Sequence, residues 1–199
     1  MKLTLALIIL FSTGLTFDGC SSNDGGGPIQ KTADQLTAEG WTAYGVKNYQ
    51  VASSRFTEAL QVDGNFADAH NGAGWSNAKL NAMTAAVASF TTGLTKDPAN
   101  LQMKTGLAFV YSVQKEYALS LQRANEVLAA DPAWSFSRDL SISASDLHLL
   151  LAEDYFAEGD FSASLLQVRL LNPSFNANVN TTAGLAALSA EIERLRVTV

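Results

Sequence analysis

From Ala33 onward the apolar positions recur at helical spacing. Leu36, Gly40 and Ala43 stand four and three residues apart, and Tyr49, Ala52, Phe56 and Ala59-Leu60 make a second stripe. Between the stripes, Lys47-Asn48 predicts a short turn that makes the two helices antiparallel neighbours. The pattern then returns at a fixed step of 34 residues, first as Gly74, Asn77, Met83, Ala86, Phe90 and Gly93-Leu94. It returns again as Ala108, Tyr111, Tyr117, Ser120, Ala124 and Val127-Leu128. Asp97-Pro98 and Asp131-Pro132 close the second and third units in the same register, because proline cannot continue a helix interior. A fixed period of this length predicts stacked helix–turn–helix units, an all-α solenoid.

The fourth unit departs from the period. Leu107 and Leu151 are 44 residues apart, which predicts about ten inserted residues within Ala133 to Ser145. Tyr155, Gly159-Asp160-Phe161 and Asn172-Pro173 restore the pattern, and Asn172 to Asn180 reads as a polar loop. A last helix near 182–198 carries Leu185, Leu188, Ile192 and Leu195 on one face, as a terminal cap requires. The expected units are therefore 33–66, 67–100, 101–134 and a degenerate 145–173, followed by the capping helix 182–198.

These residues resemble the tetratricopeptide repeat (TPR) family. Its pattern of W-x2-L-G-x2-Y, then A-x3-F, then P is met by Ala52-x3-Phe56 and Ala86-x3-Phe90 in the middle element. Leu107-Ala108-x2-Tyr111 and Leu151-Ala152-x2-Tyr155 meet the first element with alanine for glycine. His70 and Lys104 stand where the family has its leading aromatic, and Ser120-x3-Ala124 is a weakened middle element. The resemblance implies a TPR-type α-solenoid of antiparallel helix pairs with a C-terminal capping helix.

A second aromatic series has the same period. Trp41, Trp75 and Phe109 stand 34 residues apart. At about 100° per residue, Trp41 points roughly 130° from the centre of the Leu36, Gly40 and Ala43 stripe, and the other two follow it. In the family this face of the first helix lines a concave groove for extended or helical peptides. The resemblance places Asp34, Thr37, Asp68, Asn71, Lys79, Gln102 and Thr105 beside the three aromatics as groove residues, while Glu153 ends the series in the fourth unit. The face is expected to stand open to a protein or peptide partner. The alternative is that adjacent units, the insertion with Trp134, or the N-terminal tether covers it. Thr37 and Trp41 stand where a chaperone-tail carboxylate clamp would need basic and amide groups, so that subtype is not expected. A second use of the groove aromatics would be as stacking platforms for a glycan or small ligand.

The N-terminus carries a different signal. Met1-Lys2, the apolar run Leu3 to Phe11 and the small residues after it read as a signal peptide over 1–19, too short to span a membrane. Gly19-Cys20 resembles the lipobox of bacterial lipoproteins, although Phe17 and Asp18 depart from its usual small or aliphatic residues. The resemblance makes Cys20, the only cysteine, a lipid anchor, with a flexible tether over 20–32 through SSNDGGGP. The two serines after it imply the outer membrane, facing the periplasm.

Composition narrows the chemistry. A formal charge of -6, with no basic run to neutralise phosphates, argues against nucleic acid. One cysteine excludes an intramolecular disulfide. His70 and His148 occupy equivalent positions in two units and read as packing residues. Glu153, Asp154 and Glu158 read as a solvated helix face. No nucleophile–base set is present in the pattern, so no enzyme activity, cofactor or metal is expected. The expected role is a scaffold.

Overall fold

The computed structural model describes residues 30–199, so Cys20 and the signal-like segment lie outside the described residues. The described residues form nine helices: α1 (Ala33–Gly45), α2 (Tyr49–Val62), α3 (Ala67–Lys79), α4 (Met83–Lys96), α5 (Leu101–Val113), α6 (Tyr117–Ala130), α7 (Ala144–Glu158), α8 (Phe161–Leu171) and α9 (Thr182–Thr198). Side chains close the exposed N–H groups at several helix starts. Thr32 with Gln35, and Ser143 with Asp146, form reciprocal capping boxes. Asn48, Asn100, Asp160 and Thr181 accept from the first turns of α2, α5, α8 and α9.

Which helices touch fixes the curvature. Each odd helix packs on its own even partner, and each even helix packs on the next odd one. In addition α1 meets α3, α3 meets α5 and α5 meets α7, whereas α2, α4 and α6 do not meet one another. The odd helices therefore crowd along the inner, concave side while the even ones fan outward. Helix α9 packs on α7 and α8, where Leu188, Ile192 and Leu195 join Ala152, Leu165 and Val168 in one apolar cluster.

The glycine–phenylalanine pattern explains the close approach of the first two units. Phe56 is fully buried, and a Cβ at Gly40 would stand 2.6 Å from its ring; Gly72 of the next unit faces the same ring as closely. Phe90 sits likewise between Gly74 and Gly106. Units three and four replace this device with a hydrogen bond. Ser120 Oγ donates to the Ala108 carbonyl at 2.8 Å, and Ser164 Oγ donates to the Ala152 carbonyl at 2.7 Å. The weakened middle element is thus a change of fastening rather than a loss of packing.

Candidate functional site: a concave face filled by its own loop

Trp41, Trp75 and Phe109 do lie on the concave helices α1, α3 and α5, one per unit. The open face expected for the first two is overturned. Trp41 is 6% exposed and Trp75 3%, and both belong to the main core cluster. Two contacts bury them. Each ring meets the phenylalanine of its own unit edge-on, Trp41 to Phe56 at 5.0 Å and Trp75 to Phe90 at 5.8 Å between centroids. The loop 131–143, between α6 and α7, then covers them from the concave side.

Phe136 is the centre of that cover. It is 0% exposed, stacks on Trp75 at 4.5 Å and on Trp134 at 6.4 Å, and meets Trp41 and Tyr44 edge-on at 6.2 and 6.3 Å. Two residues on, the Arg138 guanidinium lies 4.9 Å over the Trp41 ring and 3.5 Å from Asp68, which also accepts from Trp41 Nε1 at 2.9 Å. Asp139 faces the Lys79 ammonium at 3.6 Å. Burial opposes ionisation of Asp139, but the Ser141 hydroxyl and Lys79 outweigh it and hold the carboxyl below the usual range. Gln102 donates to Ser137 Oγ at 3.0 Å and accepts from Asn71 Nδ2 at 2.6 Å.

The loop is built on itself. Phe136 N–H donates to Ile142, Asp139 N–H to Phe136, Ile142 N–H to Asp139 and Ala144 N–H to Trp134, with a bridge between Ser135 and Ser143. Side chains therefore hold it on the helices. Burying the Phe136 ring contributes roughly 2–3 kcal/mol, and each well-placed aromatic pair adds about 0.5–1.5 kcal/mol. The two ion pairs to the loop are partly exposed and contribute about 0–1 kcal/mol each.

Of the expected groove residues, Trp41, Trp75, Asp68, Lys79 and Gln102 touch the loop directly, and Asn71 reaches it through Gln102. Thr37 and Thr105 are buried beside them, while Asp34 stays exposed in the first turn of α1. Phe109 alone among the aromatics keeps part of its surface open. It lines a cleft of about 300 Å³ with Trp75, Ala78, Lys79, Met83, Val113 and Ile142, and an adjoining one of about 340 Å³ with Leu149, Glu153 and Arg196. Val113, 62% exposed, borders both. A sugar ring finds no free stacking platform at Trp41 or Trp75, because Phe136 and Arg138 already cover them.

Tyr44, Phe136, Arg138 and Asp139 are contributors that the periodicity did not single out. Tyr44 follows Trp41 by one helical turn, which is a usable signal. The three loop residues carry no period. Burial pushes the Tyr44 phenol well above its ordinary range, so it remains neutral.

The acidic face expected at Glu153, Asp154 and Glu158 is corrected at its centre. Asp154 is 1% exposed because it continues the buried stripe of Leu147, Leu150 and Leu151 on α7. Its Oδ1 accepts from Ser112 Oγ at 2.6 Å, and Oδ2 has no partner within the protein. Burial, opposed by the Ser112 hydrogen bond, raises its carboxyl above the usual range. Glu153 instead pairs with Arg196 of α9 at 2.8 Å. His70 and His148 are spent on structural hydrogen bonds, to the Gly64 carbonyl at 3.0 Å and to Gln167 at 2.8 Å.

No family model matches the chain, and no curated protein matches it. Solved structures do. MamA 41-end from Desulfovibrio magneticus RS-1 superposes with a TM-score of 0.63 at 15% identity, covering 83% of this chain and 93% of that one. PilW, a widely conserved type IV pilus biogenesis factor, gives 0.60 at 17% identity over 79% and 67%. The pilF protein of Pseudomonas aeruginosa gives 0.57 at 18% identity over 80% and 66%. All three are TPR-repeat proteins. The described part of this chain has the fold they share, a TPR-type α-solenoid of paired helices.

Proposed function

We propose that this chain is a protein-interaction scaffold of the bacterial cell envelope, held to the membrane through Cys20 and binding a protein or peptide partner on its concave face. The observation that carries the reading is the concave face itself, where an aromatic or a buried polar group recurs in each of the first three units. Concave solenoid surfaces of this kind bind extended partners. No helix among the described residues is long and apolar enough to cross a membrane, so an anchor outside them is consistent with the lipobox-like Gly19-Cys20. The likeness to a type IV pilus biogenesis factor suggests envelope assembly as the setting.

The clefts around Phe109 and Val113 are the part of that face a partner reaches first. A photo-crosslinking residue at Val113 should trap a discrete partner in intact cells, and Phe109→Ala should reduce that product at least about fivefold. An unchanged product in Phe109→Ala, or the same product from a crosslinker on the outer face at Val51, refutes the concave reading. Cys20→Ser should move the chain from the membrane to the soluble fraction; unaltered fractionation rejects the anchor.

A further inference from the structure

The loop on the concave face has the features of a ligand rather than of a repeat. Its backbone hydrogen bonds close within itself, and it meets the helices through the side chains of Phe136, Ser137, Arg138 and Asp139. It is also an imperfect occupant. Thr37, Asn71 and Thr105 stand four residues before Trp41, Trp75 and Phe109, hence on the same helix faces. They are 2%, 1% and 0% exposed, and Thr37 Oγ1, Asn71 Oδ1 and Thr105 Oγ1 have no hydrogen-bond partner in the protein; nor does Trp75 Nε1. The loop fills the apolar part of the face and leaves this polar row unpaired. An extended chain laid along α1, α3 and α5 carries a backbone donor and acceptor at every residue, which such a row can pair.

We propose that loop 131–143 is a built-in occupant of the concave face, and that a partner displaces it with an extended segment carrying an aromatic residue and, two positions on, an arginine or lysine. The Phe136-Ser137-Arg138 triplet is the same pattern supplied in cis. The aromatic enters between Trp75, Trp41 and Tyr44, and the cation lies over Trp41 against Asp68. This rests on the reading of the concave face as a protein-binding surface. It adds the recognition pattern and an internal competitor, whose effective concentration on a short tether is of order millimolar. A partner must therefore out-compete the loop, and the apparent affinity falls by the fraction of molecules with the face vacant.

The test uses the full chain carrying Phe136→Ala/Arg138→Ala and a fluorescein-labelled peptide spanning Asp131–Ser145. Fluorescence anisotropy should show saturable binding to the double variant and at least about tenfold weaker binding to the wild type. A peptide with both positions changed to alanine should bind neither. The milder Arg138→Ala variant guards against loss of fold. All 3 tryptophans of the chain, Trp41, Trp75 and Trp134, lie in this cluster, so acrylamide quenching reads the loop directly. Arg138→Ala should quench more steeply than wild type. The proposal is overturned if the double variant keeps a native circular dichroism spectrum and cooperative melt yet does not bind the peptide. It is also overturned if the alanine-substituted peptide binds as well, or if Arg138→Ala leaves quenching unchanged. A Phe109-dependent crosslinked partner obtained alongside a failed peptide experiment removes this inference and leaves the scaffold reading standing.

Discussion

At the scale of single residues, Asp154 is the side chain most out of keeping with its surroundings. Only one carboxylate oxygen is hydrogen-bonded, and the whole group is buried between α5 and α7. Because folding raises its pKa, the folded state binds the proton more tightly than the unfolded chain. That contribution is fully present below the unfolded-state value and is lost as pH rises through the folded one. Asp154→Asn removes the titration. The variant should melt higher than wild type at alkaline pH, and the gap should narrow as the pH falls and the wild-type carboxyl takes up its proton. Thermal melts as a function of pH check it, and a pH-independent gap would show that Asp154 does not titrate in the fold. In the sequence Asp154 reads with Glu153 and Glu158 as a solvated face, because a carboxylate has no visible partner there until Ser112 is brought across from another helix. The Gly40 and Phe56 pairing needed no such help, since the small and large residues repeat together.

Elements show a regularity finer than the hydrophobic period. The turns inside the first three units place Lys47, Asn81 and Lys115 at φ values of 60°, 61° and 63°, and Gly159 takes the same place in the fourth at 83°. An L residue with a Cβ is strained there, whereas glycine is not and asparagine is partly tolerated. Lys115 makes no ion pair among the described residues that would offset this strain. Lys115→Gly should therefore stabilise by about 0.5–1 kcal/mol, after the extra entropy of glycine in the unfolded chain is subtracted. Asn81→Gly should gain less, and Gly159→Ala should lose about 1 kcal/mol. Urea midpoints with unchanged slopes measure all three, and a Lys115→Gly loss would mean that the lysine stem packs usefully. The turns were readable as turns because the period stops for them. Their handedness was not, since lysine gives no sign of a left-handed backbone. The insertion was readable as an excess of residues within Ala133 to Ser145, and its covering the aromatic face as one of three alternatives to an open groove. Where it goes depends on Phe136 meeting rings from two other units, and nothing local in the chain encodes that meeting.

For the whole molecule, the loop changes what kind of solenoid this is. Repeat stacks are held by nearest-neighbour contacts, so their ends can loosen independently. Here Phe136, placed in the chain between the third and fourth units, touches Trp41 of the first and Trp75 of the second. Arg138 and Asp139 reach back to Asp68 and Lys79 in the same way. The loop thus ties the junction before α7 to the opposite end of the stack, and α1–α4 and α7–α9 are expected to unfold together while it is docked. In urea, far-ultraviolet circular dichroism follows every helix, whereas tryptophan fluorescence follows only the first two units and the loop, which hold all 3 tryptophans. The two curves should coincide for the wild type, as a single cooperative transition requires. In Phe136→Ala/Arg138→Ala the fluorescence transition should move to lower urea than the dichroism transition, with a shallower overall slope. Coincident curves in the variant would show that neighbouring helices alone carry the cooperativity. The loop would then be a cover and not a tie, and its removal by a partner would free the concave face without loosening the stack.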